Sequence, residues 1–179
     1  MLKENPDDRG LRDLILFLEQ VYIGRIVPNK LFREGNSMRV TSLCEEKIAK
    51  AEVNDSRFIK YTSNPSNKKL SNHNKVLIPI LMEDKNSLAI ELPVWCEKFM
   101  YNGKWIAVTG HVDLLQYYPS EGMVYIWDYK PDFSPDKPHI VSQQVKFYKL
   151  LLNQLVWLEL DRIVCGWFNN SHEFILKSW

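Results

Sequence analysis

Cysteine and glycine are both scarce in this chain. The 3 cysteines, Cys44, Cys96 and Cys165, stand far apart and form no Cys-x-x-Cys pair, which argues against a structural zinc site or an iron–sulfur cluster. They read as free thiols of a reducing cytoplasm. The 7 glycines include no glycine-rich phosphate loop, so ATP hydrolysis within the chain is not expected. No apolar run is of membrane-spanning length, and the charged start with Lys3, Glu4, Asp7 and Asp8 is not a secretory leader, so no membrane partner is expected. Charge of one sign is lacking too. With 23 basic and 22 acidic residues the net charge is +1, which does not advertise a nucleic-acid binder, although a local basic groove would vanish in such a total. Internal repeats and heptads are absent.

What is present is ordinary in amount and pointed in arrangement. The chain has 179 residues, 45% hydrophobic and 25% charged, enough for a single domain with a full core. Its organising stretch runs from Gly110-His111-Val112-Asp113 to Trp127-Asp128-Tyr129-Lys130. Lys104–Tyr117 and Met123–Lys130 read as strands, and Pro119-Ser120-Glu121-Gly122 between them has the composition of a tight turn. Two strands so joined form an antiparallel hairpin. With the turn centred between Ser120 and Glu121, Asp113 falls opposite Asp128, and His111 opposite Lys130. Opposed side chains share a face with Cβ atoms about 5 Å apart.

Two carboxylates held that close repel each other, and a hard divalent cation between them relieves the repulsion. Mg²⁺ typically takes one or two carboxylates together with water and substrate phosphate. Lys130, as an ammonium, orients water or offsets charge on phosphate. Taken alone, Asp-x-Lys also suits a solvated, salt-bridged strand pair. Here, however, Asp128 ends the apolar run Val124, Tyr125, Ile126, Trp127, and apolar strands rarely carry charge into a buried end without reason. Downstream, Gln144 and Tyr148 lie four apart on a helical segment, Ile140–Leu160, and so share one helix face.

Gly-x-x-Asp, then Asp-x-Lys closing an apolar strand, then Gln-x-x-x-Tyr on the next helix resembles the PD-(D/E)XK nuclease superfamily, and within it the RecB-type exonucleases, CRISPR-associated RecB-like nucleases included. The matched stretch, Glu91 to Tyr148, is roughly a third of the chain, and the specificity lies in the three motifs occurring together. The chain departs from many CRISPR-associated members in lacking their four cluster cysteines. The resemblance implies an α/β fold with a restriction-endonuclease-like core, a mixed sheet flanked by helices, in one nuclease domain. It implies metal-dependent hydrolysis of DNA, with Mg²⁺ or Mn²⁺ on Asp113, Asp128 and the backbone carbonyl of Tyr129. Lys130 would assist the attacking water, and Gln144 and Tyr148 would support the site or contact DNA. Action on DNA ends is the first expectation. A structure- or sequence-specific endonuclease and a non-catalytic DNA-binding subunit are the alternatives. A helicase partner fits, since RecB-type domains are often fused to one.

The same resemblance seeks one more acid on an N-terminal helix. Met38–Glu52 reads as that helix, with Ser42 and Glu45 as a capping box. Related viral and phage-type nucleases carry Gly-x-x-x-Glu there, so Glu45 in Thr41-Ser42-Leu43-Cys44-Glu45 is the expected metal ligand, ahead of Glu46. Other expectations are simpler. Leu11–Tyr22 is an amphipathic helix ended by Gly24. Asn54–Lys75 is a solvated loop or a basic flap with Phe58 and Tyr61 free to stack on bases. Val76–Met82 and Leu88–Trp95 are strands. Glu91 is structural. Arg162–Asn169 and Glu173–Trp179 form the last hairpin. Of the histidines, only His111 lies on the expected active face.

Overall fold

The computed structural model describes residues 9–33, 35–47, 50–63, 72–137 and 139–176. The element order is α1 (Arg9–Tyr22), β1 (Met38–Arg39), β2 (Glu52–Asp55), α2 (Ile59–Thr62), α3 (Asn72–Glu83), β3 (Ser87–Tyr101), β4 (Lys104–Tyr118), β5 (Met123–Tyr129), α4 (Val141–Val156), β6 (Ile163–Phe168) and β7 (His172–Ile175). The fold is α/β. A mixed seven-stranded sheet runs β1-β4-β5-β6-β7-β2, with β3 along the other edge of β4, and helices cover both faces. No described helix is long and apolar enough to cross a membrane. The expected start of the chain before Arg9, Lys68 and Lys69 of the basic tract, and the last three residues lie outside the described residues.

Opposite faces of the sheet carry different cores. Ile126, Val124 and Leu115 pack with Tyr148, Leu151 and Leu152 of α4 and with Leu11, Leu14 and Phe17 of α1. The alternate residues Trp127, Tyr129 and Leu114 pack with Val76, Leu77 and Ile80 of α3 and with Phe58 and Tyr61. This is the period-two alternation of a sheet covered on both sides.

The central hairpin forms in the expected register. Leu114 pairs with Trp127 and Tyr118 with Met123; the expected oppositions of Asp113 to Asp128 and of His111 to Lys130 fall beyond the last ladder pair, where the strands part. Three other expectations fail. Val76–Met82 is not a strand but most of α3. Its apolar run suits either element, and the helix is the one that buries Val76, Leu77 and Ile80 while leaving Met82 80% exposed, with Pro79 accommodated inside. Met38–Glu52 is not a helix. Met38 and Arg39 pair with β4 in parallel, Val40–Leu43 makes one short 3₁₀ turn, and Lys47 bridges to His139. Tertiary pairing there overrides local propensity. The described parts of the tract Asn54–Lys75, residues 54–63 and 72–75, are structured. They supply the end of β2, α2 and the start of α3, and bury Phe58 (2% exposed) and Tyr61 (7%), so neither ring is free to stack on a base.

Arg57 from that tract anchors the far end of the sheet. Its guanidinium donates to both carboxylate oxygens of Glu173, at 2.8 and 2.7 Å, and lies over the rings of Trp127, Tyr118 and Tyr125. Glu173 is almost fully buried, so Arg57→Ala strands a buried carboxylate. The expected loss is about 3 kcal/mol, at the low end for a broken buried pair because the Arg57 side chain is 36% exposed. A urea titration should show a lowered midpoint with an unchanged slope.

Candidate active site

The site lies in a fork along one edge of β4. β3 runs along the opposite edge without a break wide enough to admit another strand. On the fork edge β1 pairs at Val108 and Thr109, and β5 pairs only from Leu114 onward. Between them Gly110, His111, Val112 and Asp113 face no strand. β5 leaves β4 here because its other edge continues along β6 through Asp128 and Tyr129. The fork floors a cleft of about 510 Å³ lined by Glu91, His111, Asp113, Asp128, Lys130, Gln144 and Tyr148, among others.

A backbone inversion shapes the fork. Glu91 sits opposite Asp113, between the pairs Ile90–Leu114 and Leu92–Val112, and has φ +48°. Such a conformation costs a non-glycine residue about 1–3 kcal/mol. Its effect is visible in the packing. Ile90 and Leu114 belong to the α3-side core, whereas Leu92 and Val112, two residues away, belong to the α4-side core. Both strands therefore turn over at the Glu91–Asp113 step, and their carboxylates emerge at the sheet's edge rather than into either core.

Helices of both layers reach the two aspartates. Asp113 is 6% exposed and Asp128 1%. Asp113 Oδ2 accepts the backbone N–H of Tyr129 at 2.7 Å and lies 3.4 Å from Nδ1 of His73 at the start of α3. Because N–H and C=O of an extended residue point to the same edge, the Tyr129 carbonyl also faces the fork. Asp128 Oδ1 accepts from Gln144 Nε2 of α4 at 3.1 Å. Lys130 Nζ approaches Asp128 Oδ2 at 2.5 Å, yet that oxygen has no partner in hydrogen-bond geometry, and neither has Gln144 Oε1. Gln144 Nε2 donates also to the Tyr148 hydroxyl at 2.7 Å, and the Tyr148 ring lies over Gly110 so closely that a Cβ there would collide with it. That contact explains the glycine at the head of the motif.

Burial dominates the electrostatics. It pushes the Asp113 carboxyl up to about 8, reinforced by Asp128 and opposed by the Tyr129 N–H and Lys130. Burial likewise raises Asp128, against the pull of Lys130. The Tyr148 phenol is held protonated by burial and by both aspartates. Burial, helped by Arg39 and opposed by Glu91, keeps His111 towards neutral. Burial thus favours the protonated, neutral form of both aspartates while no cation is bound.

The fork brings together Asp113, Asp128, the Tyr129 main chain, Lys130, Gln144 and Tyr148. It does not bring in Glu45. With no helix to carry it, that side chain is 74% exposed and paired with Lys47 at 2.8 Å, while its backbone N–H donates to Gln143. Glu91 and His73 lie beside Asp113 instead. Their ligand atoms and that of Asp113 lie within 4.8 Å of one another. The signal for Glu91 is its register opposite Asp113. His73 hides in a run of Asn, Ser and Lys, with no sequence mark of its role. His111 lines the cleft, but its ring packs against Phe32 at 5.2 Å.

No protein-family model matches the chain, and no curated protein does. Among solved structures it is similar to the crystal structure of SSO0001, at 16% identity over 94% of this chain and 77% of that one, with a TM-score of 0.40. A likeness that distant leaves the site to its own geometry.

Proposed function

We propose that the protein is a divalent-metal-dependent DNA nuclease with a restriction-endonuclease-like core. One observation carries this reading: two buried carboxylates, Asp113 and Asp128, open with Glu91 into one cleft that the cations Lys130 and Arg39 also line, with the His73 imidazole 3.4 Å from Asp113. Apolar surroundings make buried carboxylates costly, and Asp128 Oδ2, with the Lys130 ammonium beside it at 2.5 Å but no hydrogen bond of good geometry, is the kind of oxygen that a hard cation takes. The donor set fits Mg²⁺ or Mn²⁺. Asp113, Asp128 and the Tyr129 carbonyl would hold the ion, with Glu91 and His73 beside them. An imidazole among the carboxylates favours Mn²⁺ over the harder Mg²⁺.

The ion, when bound, supplies a Lewis acid that polarises the phosphodiester and makes water acidic enough to attack. The chain's residues do the rest. Lys130 points its ammonium at the attacking water or at the charge gathering on phosphorus. Gln144 fixes the rotamer of Asp128 and is itself fixed by Tyr148 and Gly110. The Glu91 carboxylate, on the wall of the same cleft, would accept the water's proton. The new bond joins water oxygen to phosphorus, the P–O3′ bond breaks, and the 3′-oxygen takes a proton from solvent, leaving a 5′-phosphate. Exonucleolytic action on DNA ends and a helicase-type partner belong to this reading through the resemblance of the three motifs, and a reducing cytoplasmic location through the free cysteines Cys44, Cys96 and Cys165.

End-labelled linear single- and double-stranded DNA, with closed circles alongside, tests it in Mg²⁺, Mn²⁺ and EDTA. The expected result is loss of linear DNA in metal only, with circles spared. Cut circles would make it an endonuclease. DNA bound but uncut in either metal would sink the catalytic reading in favour of a binding subunit.

A further inference from the structure

The two halves of α4 do different things. The first half carries Gln144 and Tyr148 into the cleft. The second half buries Leu151, Leu152 and Val156 against the sheet, yet it also turns apolar side chains out to solvent. Leu150 and Trp157 are seven apart, so they lie on one face two turns from each other, and both are exposed, as is Leu160 just beyond. Trp157 stands out. It caps the helix in the left-handed conformation, with φ +51°, where glycine is the usual residue because a Cβ is strained. The indole is 80% exposed, so packing within the chain does little to offset that strain. The turn is held by the Trp157 N–H donating to the Asn153 carbonyl at 2.9 Å and by Asn153 Nδ2 donating to the Leu158 carbonyl at 2.6 Å, and neither bond uses the ring. Strain kept at an exposed residue points to function, and tryptophan is enriched where binding energy concentrates.

The charge around the ring has one sign. From Gln154 to Asp161 the ionised side chains are Glu159 and Asp161, both exposed, and a helix ends in carbonyls that carry partial negative charge. Such a surface repels phosphates, and a second copy docking by the same face would bring the same sign of charge. We infer that the C-terminal end of α4 docks a cationic segment of a partner protein, an arginine- or lysine-bearing stretch with apolar side chains. Its cation lies over the Trp157 ring beside Glu159, and its apolar side chains rest on Leu150 and Leu160. A partner seated there is about 20 Å along the helix axis from Gln144 and leaves the cleft open. The docking face is therefore independent of the nuclease reading.

A phage-displayed library of random peptides tests it. The library is first depleted on Trp157→Gly, which removes peptides that bind elsewhere, and is then selected on wild type. Enriched peptides should combine arginine or lysine with leucine or an aromatic residue. Made synthetically and titrated by anisotropy, they should bind Trp157→Gly at least about thirtyfold more weakly than wild type. Glu159→Lys should weaken them about tenfold or more, and the control Glu52→Lys, an exposed acid on β2, should bind as wild type. In urea the Trp157→Gly midpoint should equal or exceed that of wild type, because glycine relieves the cap. No enrichment, or enrichment of acidic or uncharged peptides, overturns the inference. So does peptide binding that survives Glu159→Lys, and so does a lowered urea midpoint in Trp157→Gly, which would make the ring part of the fold. A dimer in sedimentation that Trp157→Gly dissolves would give the face to a second copy, and a loss of DNA binding in that variant would give it to nucleic acid; either overturns the inference. Wild type that takes the cationic peptides through Trp157 yet cleaves no DNA in Mn²⁺ keeps the docking face and overturns the nuclease reading alone.

Discussion

Asp128→Ala is expected to lower metal-dependent DNA cleavage about a thousandfold or more, and Lys130→Ala at least about a hundredfold, the scale on which removing one preorganised charge from a closed site acts. Asp128 is the more severe loss because it works at two levels. Its carboxylate would hold the ion, and it also anchors Gln144 at 3.1 Å, so its removal loosens the Gln144–Tyr148 pair. Gln144→Ala, which keeps every carboxylate, should cost roughly ten- to a hundredfold, as residues that orient metal ligands do. Its loss should diminish as metal concentration rises. Glu45→Ala should cleave as wild type, since that side chain is exposed and paired with Lys47. Initial rates on end-labelled DNA over a range of Mn²⁺ concentrations measure all four. An inactive Glu45→Ala, or an active Asp128→Ala, would mean that the fork is not where hydrolysis occurs.

The contrast between Asp128 and Glu45 shows where sequence reasoning reaches and where it stops. The hairpin is legible because its signals are local and agree with one another: a Pro-to-Gly turn, alternation on both sides, and one register that puts apolar residues together. That Gln144 and Tyr148 share a helix face follows from their spacing, and their link to the aspartates from the resemblance of the three motifs. Glu45 rests instead on a helix that the chain does not form, because Met38 and Arg39 find β4 and Lys47 finds His139. Those pairings are long-range and leave no periodicity to read. The run from Val76 to Met82 is ambiguous for a related reason. A short, fully apolar stretch satisfies both periods, and only the shape of the α3-side core chooses the helix.

Glu91 and His73 are harder still. Nothing in Leu88–Trp95 announces that one residue will sit at φ +48°, because a left-handed glutamate is paid for by packing on either side of it. Yet that one angle turns β3 over and delivers a carboxylate opposite Asp113. His73 gains its place from α3 docking on the sheet, where its ring meets Tyr129 edge-on at 5.4 Å. The sequence-visible part of the site is therefore what the hairpin and α4 carry. The hidden part is what the backbone inversion and the second helical layer bring to it.

Without metal, the protein should become less stable as pH rises from the ordinary carboxylate range towards 8, and Asp113→Asn should flatten that trend. In the unfolded chain an aspartate titrates near 3.9. In the fold, burial and then the neighbouring Asp128 push Asp113 up to about 8, and burial raises Asp128 as well. Between those limits the folded chain binds more protons than the unfolded one, so unfolding free energy falls with each step up in pH, and levels off above about 8. Asn at position 113 keeps an oxygen to accept the Tyr129 N–H but carries no charge. It should be more stable than wild type by about 2 kcal/mol or more at pH 8 in EDTA, with the gap closing towards pH 4. Saturating Mn²⁺ should restore wild type by about 2.7 kcal/mol at a hundredfold excess over its Kd, and should do far less for the variant. Thermal melts across pH, with and without metal, read both arms. A wild type whose stability is flat from pH 5 to 8 in EDTA, and no firmer with Mn²⁺, would show that the two aspartates are already neutralised within the fold and that the cleft has no call for a cation.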